Sequence, residues 1–211
     1  MKIAWHGHSC FEVHDGVTIV TDPHDGKSIG IRTPVVKSDI VLISHDHFDH
    51  NCARIVKGDF SIVREPGERE LKGVRISGVT TYHDAVQGAK RGRNIIFVFE
   101  LEGMRFCHCG DLGHMLSEEQ IKELGRIDVL FIPVGGVFTI SGTQARELVD
   151  QIKPRVAVPM HFRVGGLSIS INNLDEFLEN LPEDKVQVVG NEIDFTTDEL
   201  PLKTEYWVFS P

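Results

Sequence analysis

The chain has 211 residues, a formal net charge of −9 and 41% hydrophobic residues. This length accommodates one domain with a large core or two small domains, and the mixed charge is typical of a globular protein. The negative balance argues against a protein that binds nucleic acid by broad phosphate neutralisation. We find no apolar run long enough to span a membrane, which argues against a membrane partner.

Two further features of the composition indicate the cellular compartment. The amino-terminal residues lack the apolar core of a signal peptide. The four cysteines, Cys10, Cys52, Cys107 and Cys109, show no CxxC spacing. Free thiols in the reducing cytoplasm are therefore expected. We find no repeat or linker, so we expect a single domain over residues 1–211.

The first half of the chain is predicted to consist mainly of hairpins. Short apolar runs predict strands over 2–6, 10–14 and 17–20, and the Asp15-Gly16 pair is a strong hairpin signal. Residues 23–38 are polar and contain proline and glycine, which indicates a loop. Further predicted elements are strands over 40–43, 60–63, 74–80, 95–101 and 105–109, a short helix over 51–57 and a second hairpin at Glu102-Gly103.

In the second half, predicted strands and helices alternate. Ser117 and Gln120 have the spacing of a capping box, which predicts the start of a helix. The other predicted elements are strands over 128–133, 155–159, 186–189 and 206–209 and helices over 143–152 and 174–181. This order predicts an α/β (α+β) architecture in which two mixed β-sheets pack together with helices outside.

The densest group of metal-binding residue types follows the apolar run over 40–43. In an extended backbone, residues two apart point to the same side, so His45 and His47 can hold one ion. Asp49 and His50 follow where the chain turns, and they can face a second ion beside the first. Asp49 alone could be a helix cap, but a strand end has no packing reason to collect so many titratable groups. Zinc accepts both imidazole nitrogen and carboxylate oxygen.

Three other predicted strands also stop at metal-binding residue types. They run into His83-Asp84, into Asp111 and into His161. Ligand sites in sheet-based folds lie where several strand ends meet. The sequence therefore predicts one cleft that contains both ions.

The order of these residues resembles the metallo-β-lactamase superfamily over residues 5–161: His-x-His-x-Asp-His, a distant histidine, Gly-Asp and a late histidine. The branch that contains L-ascorbate-6-phosphate lactonase and related metal-dependent hydrolases is similar in three more segments. These segments are Gly7-His8-Ser9-Cys10-Phe11, Pro66-Gly67-Glu68 and Pro159-Met160-His161. The resemblance implies a four-layer αβ/βα sandwich.

The resemblance also implies roles for individual side chains. It implies His45, His47 and His83 as ligands of a first ion, Asp49, His50 and His161 as ligands of a second, and Asp111 as a bridge. A cysteine stands in the place of Asp111 in one subgroup of true β-lactamases, which argues against antibiotic hydrolysis. Nitrogen ligation of the first ion favours Zn²⁺ over a redox di-iron site, with Mn²⁺ or Fe as alternatives.

Such a site predicts hydrolytic chemistry. Two divalent ions about 3.5–4 Å apart can share a water and lower its pKa towards neutrality. The resulting metal-bound hydroxide attacks a carbonyl carbon or a phosphorus, and Asp49 is placed to accept a proton. We therefore expect a hydrolase acting on a small anionic ester, lactone or phosphodiester. The alternatives are an RNA- or DNA-processing nuclease of the same fold and a non-catalytic metal-binding protein.

Three residues are candidates for contacts with substrate or with the ligands. His8 could reach the cleft or be a hydrogen-bonded histidine in a turn. Asp84 could orient His83, an arrangement common for metal-bound imidazole, and His114 could line the cleft. The basic run Lys90-Arg91-Gly92-Arg93 could hold a phosphate or carboxylate, or it could be a solvated loop tip.

Overall fold

The computed structural model describes residues 1–210. Its strands are β1 (Lys2–Trp5), β2 (Phe11–Asp15), β3 (Val17–Thr21), β4 (Ile40–Leu42), β5 (Ser61–Val63), β6 (Gly67–Leu71), β7 (Val74–Tyr82), β8 (Arg93–Leu101), β9 (Met104–His108), β10 (Val129–Pro133), β11 (Val156–Met160), β12 (Val186–Val188), β13 (Glu192–Asp194) and β14 (Glu205–Val208). The α-helices are α1 (Glu118–Leu124), α2 (Gly142–Ile152) and α3 (Asp175–Leu178). Short 3₁₀ turns span Lys27–Ile29, Ala53–Ile55, Glu183–Lys185 and Thr197–Glu199.

The strands form two mixed sheets, which confirms the predicted architecture. The six-stranded sheet has the order β13-β1-β2-β3-β4-β5, and the eight-stranded sheet has the order β12-β14-β11-β10-β9-β8-β7-β6. The strands from β9 through β10, β11 and β14 to β12 are parallel neighbours, whereas β6 to β9 pair antiparallel. The carboxyl-terminal segment is therefore an internal strand, since β14 lies between β11 and β12.

The main core lies between the two sheets. Phe11 of the six-stranded sheet packs on Phe131 of the eight-stranded sheet, with ring centroids 4.4 Å apart, and both side chains are fully buried. On the outer side of the eight-stranded sheet, α1 contacts β7, and α2 contacts β10 and α3. A smaller buried cluster, which includes Val20, Val36 and Val41, joins β3 and β4 to the 23–38 loop.

No helix within residues 1–210 is long and apolar enough to cross a bilayer.

Local sequence signals account for most element boundaries. The hairpin at Gly16 joins β2 to β3, and Leu101 pairs with Met104 across the predicted second hairpin. Both α1 and α2 start at a capping box. At the start of α2, the Ser141 hydroxyl accepts from the main-chain N–H of Gln144, and the Gln144 side chain accepts from the main-chain N–H of Ser141.

Four element predictions were wrong or incomplete. The predicted helix over 51–57 is only a 3₁₀ turn, because the flanking backbone N–H groups of Cys52 and Lys57 donate to carbonyls of the 23–38 loop. The predicted helix over 174–181 is the single turn α3, which ends before Pro182. The strands β6 and β13 were missed, since both are short, polar edge strands without an apolar alternation.

Removing the cap of α2 should destabilise the protein. Ser141→Ala should lower the free energy of unfolding by about 1 kcal/mol, because an orphan N–H at the helix start loses its acceptor. Urea unfolding followed by circular dichroism measures this change. Ser170→Ala, which removes an exposed hydroxyl outside any helix, is the matched control and should leave the unfolding midpoint unchanged. Equal midpoints for both variants would contradict a stabilising cap.

Candidate metal centre

The strands that carry the predicted ligands end at one edge of the molecule. In the eight-stranded sheet β7, β9 and β11 run in the same direction, and in the six-stranded sheet β3 and β4 are parallel neighbours. Asp22, residues 45–50, His83, Asp111 and His161 follow these strands. The shared strand direction thus brings together side chains that are far apart in the sequence.

The carboxylate of Asp111 lies at the centre of this cluster. Its Oδ2 atom is 3.1 Å from Nε2 of His83, 3.2 Å from Nε2 of His50 and 3.2 Å from Nε2 of His161. The Nε2 atom of His45 is 3.7 Å from the same oxygen. All five side chains are buried. Imidazole nitrogens that converge on a buried carboxylate form a donor set suited to divalent transition metals.

The metal-binding atoms form three groups, each with its atoms within 4.8 Å of one another. Two of the groups share no residue, and the third, formed by Asp22, His45 and His50, overlaps both. The solvent-facing group contains His45, His47 and His83, and the buried group contains His8, Asp49, His50 and His161. All members of the buried group are buried, whereas His47 is only half-buried. Asp111 lies next to members of both groups. The structure thus brings together the seven residues predicted as metal ligands and places the candidate His8 beside them.

Several of these atoms lack a partner within the described chain. Nε2 of His45 and Oδ1 of Asp111 are buried without a hydrogen bond. Leaving a buried polar atom unsatisfied costs about 1–3 kcal/mol, so such atoms normally have a ligand. Burial lowers the pKa of His45 to about 3, so its ring is neutral near pH 7 and has a lone pair to donate. The residues present therefore fit a divalent metal ion.

His8 is part of the cluster and not merely a histidine in a turn. Its side chain is fully buried, and its Nε2 atom is 3.0 Å from Oδ2 of Asp49. Its ring centroid is 4.3 Å from that of His161. Burial of Asp49 raises its pKa, but the charge on His50 and hydrogen bonds from His50 and His8 outweigh burial and hold that pKa well below its usual range. Asp49 is therefore an ionised carboxylate that His8 orients.

Asp22 holds two of the histidines in place, and the sequence reasoning missed it. Its carboxylate accepts hydrogen bonds from the main-chain N–H of Ser44 at 2.7 Å and from the Ser44 hydroxyl at 2.6 Å. It also contacts Nδ1 of His50 at 3.0 Å, and the Ser44 hydroxyl lies 2.8 Å from Nδ1 of His45. Such contacts fix the orientation of an imidazole ligand. The signal was present, because Asp22 lies two residues after the strand predicted over 17–20.

Asn94 positions Asp111, and this role was also missed. Its side-chain oxygen accepts from the main-chain N–H of Asp111 at 3.0 Å, and its amide donates to the carbonyl of Cys109 at 2.9 Å. Gly110 lies between these two groups with φ of 55°, and a Cβ atom there would collide with Asn94 and Ser44. The tight turn before Asp111 therefore requires glycine.

The prediction that Asp84 orients His83 was wrong. The Asp84 carboxylate accepts hydrogen bonds from four main-chain N–H groups of its own loop, those of Val86, Gly88, Lys90 and Arg91. Partial desolvation raises the pKa of Asp84, but these hydrogen bonds outweigh it and lower the pKa to about 2. Nδ1 of His83 is buried and has no hydrogen-bond partner among residues 1–210. Asp84 organises the loop after His83 and not the histidine itself.

The prediction for His114 also needs correction. Its Nε2 atom accepts from the main-chain N–H of Tyr82 at 3.2 Å, and its Nδ1 atom donates to the carbonyl of Met115 at 2.8 Å. Both ring nitrogens are therefore used by the main chain. His114 thus fixes the end of β7, and neither of its ring nitrogens is free to bind a substrate.

Comparison with known proteins supports the same class. Residues 2–161 match the family model described as the beta-lactamase superfamily domain. A crystal structure of a candidate Zn-dependent hydrolase of the metallo-beta-lactamase superfamily from Thermotoga maritima is 40% identical. It covers 99% of this chain and 97% of its own, with a TM-score of 0.83.

Curated relatives are similar over most of their length. A UPF0173 metal-dependent hydrolase from Nitratidesulfovibrio vulgaris is 30% identical over 85% of this chain and 87% of its own. A second, from Thermoplasma acidophilum, is 29% identical over 77% of this chain and 83% of its own.

The fold and the His/Asp cluster thus define a metal-dependent hydrolase of the metallo-β-lactamase superfamily. Within that superfamily, the chain belongs to the UPF0173 metal-dependent hydrolase family. Its metal site is the cluster around Asp111.

Loss of the Asp22 carboxylate charge should weaken metal binding. Asp22→Asn should lower zinc affinity roughly 10–100-fold, because the His50 and His45 rings lose the group that orients them. Competition with a chromogenic zinc chelator measures this affinity. Asp25→Asn is the matched control. Asp25 lies in the same loop, but its carboxylate contacts Ser28 and Arg54, so this variant should bind zinc like the wild type. Equal affinities for the two variants would show that Asp22 does not support the metal site.

Loss of the Asp84 carboxylate should loosen the loop that follows His83. Asp84→Ala removes the acceptor of four main-chain N–H groups, so amide hydrogens of residues 85–92 should exchange faster. Hydrogen exchange followed by mass spectrometry measures this rate peptide by peptide. Peptides from β10 and β11 provide the internal control and should exchange as in the wild type. Unchanged exchange in residues 85–92 would contradict the organising role of Asp84.

Proposed function

We propose that this chain is a dinuclear zinc hydrolase that acts on a small anionic ester, lactone or phosphodiester. The observation that supports the proposal most strongly is the position of Asp111, whose Oδ2 atom lies 3.1–3.7 Å from four imidazole nitrogens drawn from both ligand groups. A single carboxylate beside two groups of donors is suited to bridging two ions. Zn²⁺ agrees with a donor set dominated by imidazole, and Mn²⁺ or Fe would be the alternatives.

The proposed ligands follow the two groups. The first ion would be held by His45, His47 and His83, the second by Asp49, His50 and His161, and both by Asp111. Zinc bound there would supply a water of lowered pKa and would polarise the bond to be attacked. Asp49 would accept the proton of that water, since its carboxylate is ionised and is oriented by a hydrogen bond that it accepts from Nε2 of His8. The half-buried His47 marks the side from which substrate would approach.

The surroundings of the site favour a small substrate. A cleft of about 350 Å³ lies beside His45 and His47, which suits a metabolite-sized molecule rather than a polymer. The net charge of −9 also disfavours RNA or DNA as the substrate. Among small molecules, a lactone is the substrate suggested by the similarity to L-ascorbate-6-phosphate lactonase. The four free, buried cysteines agree with a reducing compartment such as the cytoplasm.

Substitution of the proposed base and of one proposed ligand tests the assignment. With a panel of ester, lactone and phosphodiester substrates, the zinc-loaded protein should turn over at least one class, and Asp49→Ala should lower that rate roughly 100-fold or more. His83→Ala should bind one zinc fewer by elemental analysis. His14→Ala, an exposed histidine on β2, is the control for both measurements. Near-wild-type turnover by Asp49→Ala, or unchanged zinc content in His83→Ala, would rule out the assignment.

A further inference from the structure

An arginine without an ionic partner stands beside the solvent-facing group. The cleft next to His45 and His47 is also lined by Arg64, Arg91 and Arg93. Arg93 is 3.4 Å from the carboxylate of Glu65. Among residues 1–210, by contrast, no carboxylate lies within 4.0 Å of the Arg91 guanidinium. In a chain with an excess of acidic residues, an unpaired guanidinium in a cleft is available to an external anion.

Two contacts hold Arg91 in place. Its main-chain N–H donates to the Asp84 carboxylate at 2.8 Å. Its guanidinium carbon lies 4.2 Å from the ring centroid of Phe138, which belongs to the loop after β10. This cation–π contact joins the loop after β7 to the loop after β10. Because both the main chain and the guanidinium are restrained, less entropy is lost when an anion binds.

A second cleft shares Arg91 and has an apolar wall. It measures about 330 Å³ and is lined by His83, Arg91, Val86, Val137 and Phe138, among others. Val86 is 45% exposed and Val137 is 55% exposed. Exposed apolar side chains that line a cleft are typical of a ligand site. Arg91 therefore separates a polar cleft at His45 and His47 from an apolar one at His83.

We propose that Arg91 binds an anionic group of the substrate while an apolar part of the same molecule packs on Val86, Val137 and Phe138. The proposal rests on the hydrolase function proposed above and specifies its substrate class: an ester or lactone with an apolar portion and one carboxylate or phosphate. In the reaction, water adds across the acyl C–O bond, which yields a carboxylic acid and an alcohol. The anionic group takes no part in that step and only positions the molecule.

Two matched esters test this assignment on the zinc-loaded protein. The 4-nitrophenyl ester of hexanoic acid is neutral, and the 4-nitrophenyl monoester of adipic acid has the same number of acyl carbons and one carboxylate. Arg91→Ala should raise KM for the adipate monoester about tenfold or more, because a charged hydrogen bond is lost, with kcat little changed. Hydrolysis of the hexanoate ester should be affected much less, because this ester has no anionic group for Arg91 to bind.

Arg75→Ala is the matched control. Arg75 is 71% exposed and lies on β7 beside Glu100, roughly 25 Å along the strand from His83. The Arg75→Ala variant removes the same charge as Arg91→Ala, and it should hydrolyse both esters like the wild type. Val137→Ser tests the apolar wall and should lower kcat/KM for both six-carbon esters about threefold or more, without affecting 4-nitrophenyl acetate.

A binding measurement separates this proposal from the hydrolase function. The amide analogues, N-(4-nitrophenyl)adipamic acid and N-(4-nitrophenyl)hexanamide, are titrated into the zinc-loaded protein by calorimetry. Arg91→Ala should raise the Kd of the anionic amide about tenfold and change the Kd of the neutral amide much less. If neither ester is hydrolysed but this difference in Kd is found, the result supports the anion site at Arg91 and contradicts the proposed ester hydrolysis.

Three outcomes would overturn the anion site. The first is an equal loss of kcat/KM for both esters in Arg91→Ala. The second is hydrolysis or binding of the anionic compounds by Arg91→Ala at the wild-type level. The third is no measurable binding of the anionic amide to the wild type. A Val137→Ser variant that hydrolyses both six-carbon esters like the wild type would overturn the apolar wall.

Discussion

The burial of one carboxylate among four imidazole rings is the interaction on which the site depends. Asp111 is almost inaccessible to water, yet its Oδ2 atom lies within 3.7 Å of nitrogens from four histidines. Burying an ionised group is costly unless charges or hydrogen bonds compensate for it. The chain provides this compensation through groups from both sheets, so the site can form only when the two sheets are packed together.

The ligand-type residues are held in position by neighbouring buried side chains. Asp22 connects Ser44, His45 and His50, and Asn94 fixes the backbone of Asp111. The cluster is thus positioned on strand ends, and its geometry is set by hydrogen bonds in addition to packing. Rigid placement of this kind is what a site needs if its geometry is to be retained between turnovers.

The sequence predicted much of this molecule because the informative signals are local. Apolar runs that stop at histidine or aspartate identified four strand ends, and the capping box at Ser117 located α1. Asp22 was missed because a single aspartate at a strand end is ordinary without its three-dimensional partners. The partners of Asp84 were also out of reach, since only the folded loop shows that the carboxylate faces main-chain N–H groups. Edge strands such as β6 and β13 are polar and carry no periodic signal.

The anchoring of the loop after His83 has an evolutionary consequence. The Asp84 carboxylate accepts four main-chain hydrogen bonds from this loop, so the shape of the loop depends on its backbone more than on the side chains at residues 85, 86, 87, 89 and 90. Mutations at these positions can therefore change which molecules fit without disturbing the adjacent histidine. A lineage that retains Asp84 could diversify its chemistry of recognition while its hydrolytic apparatus stays the same.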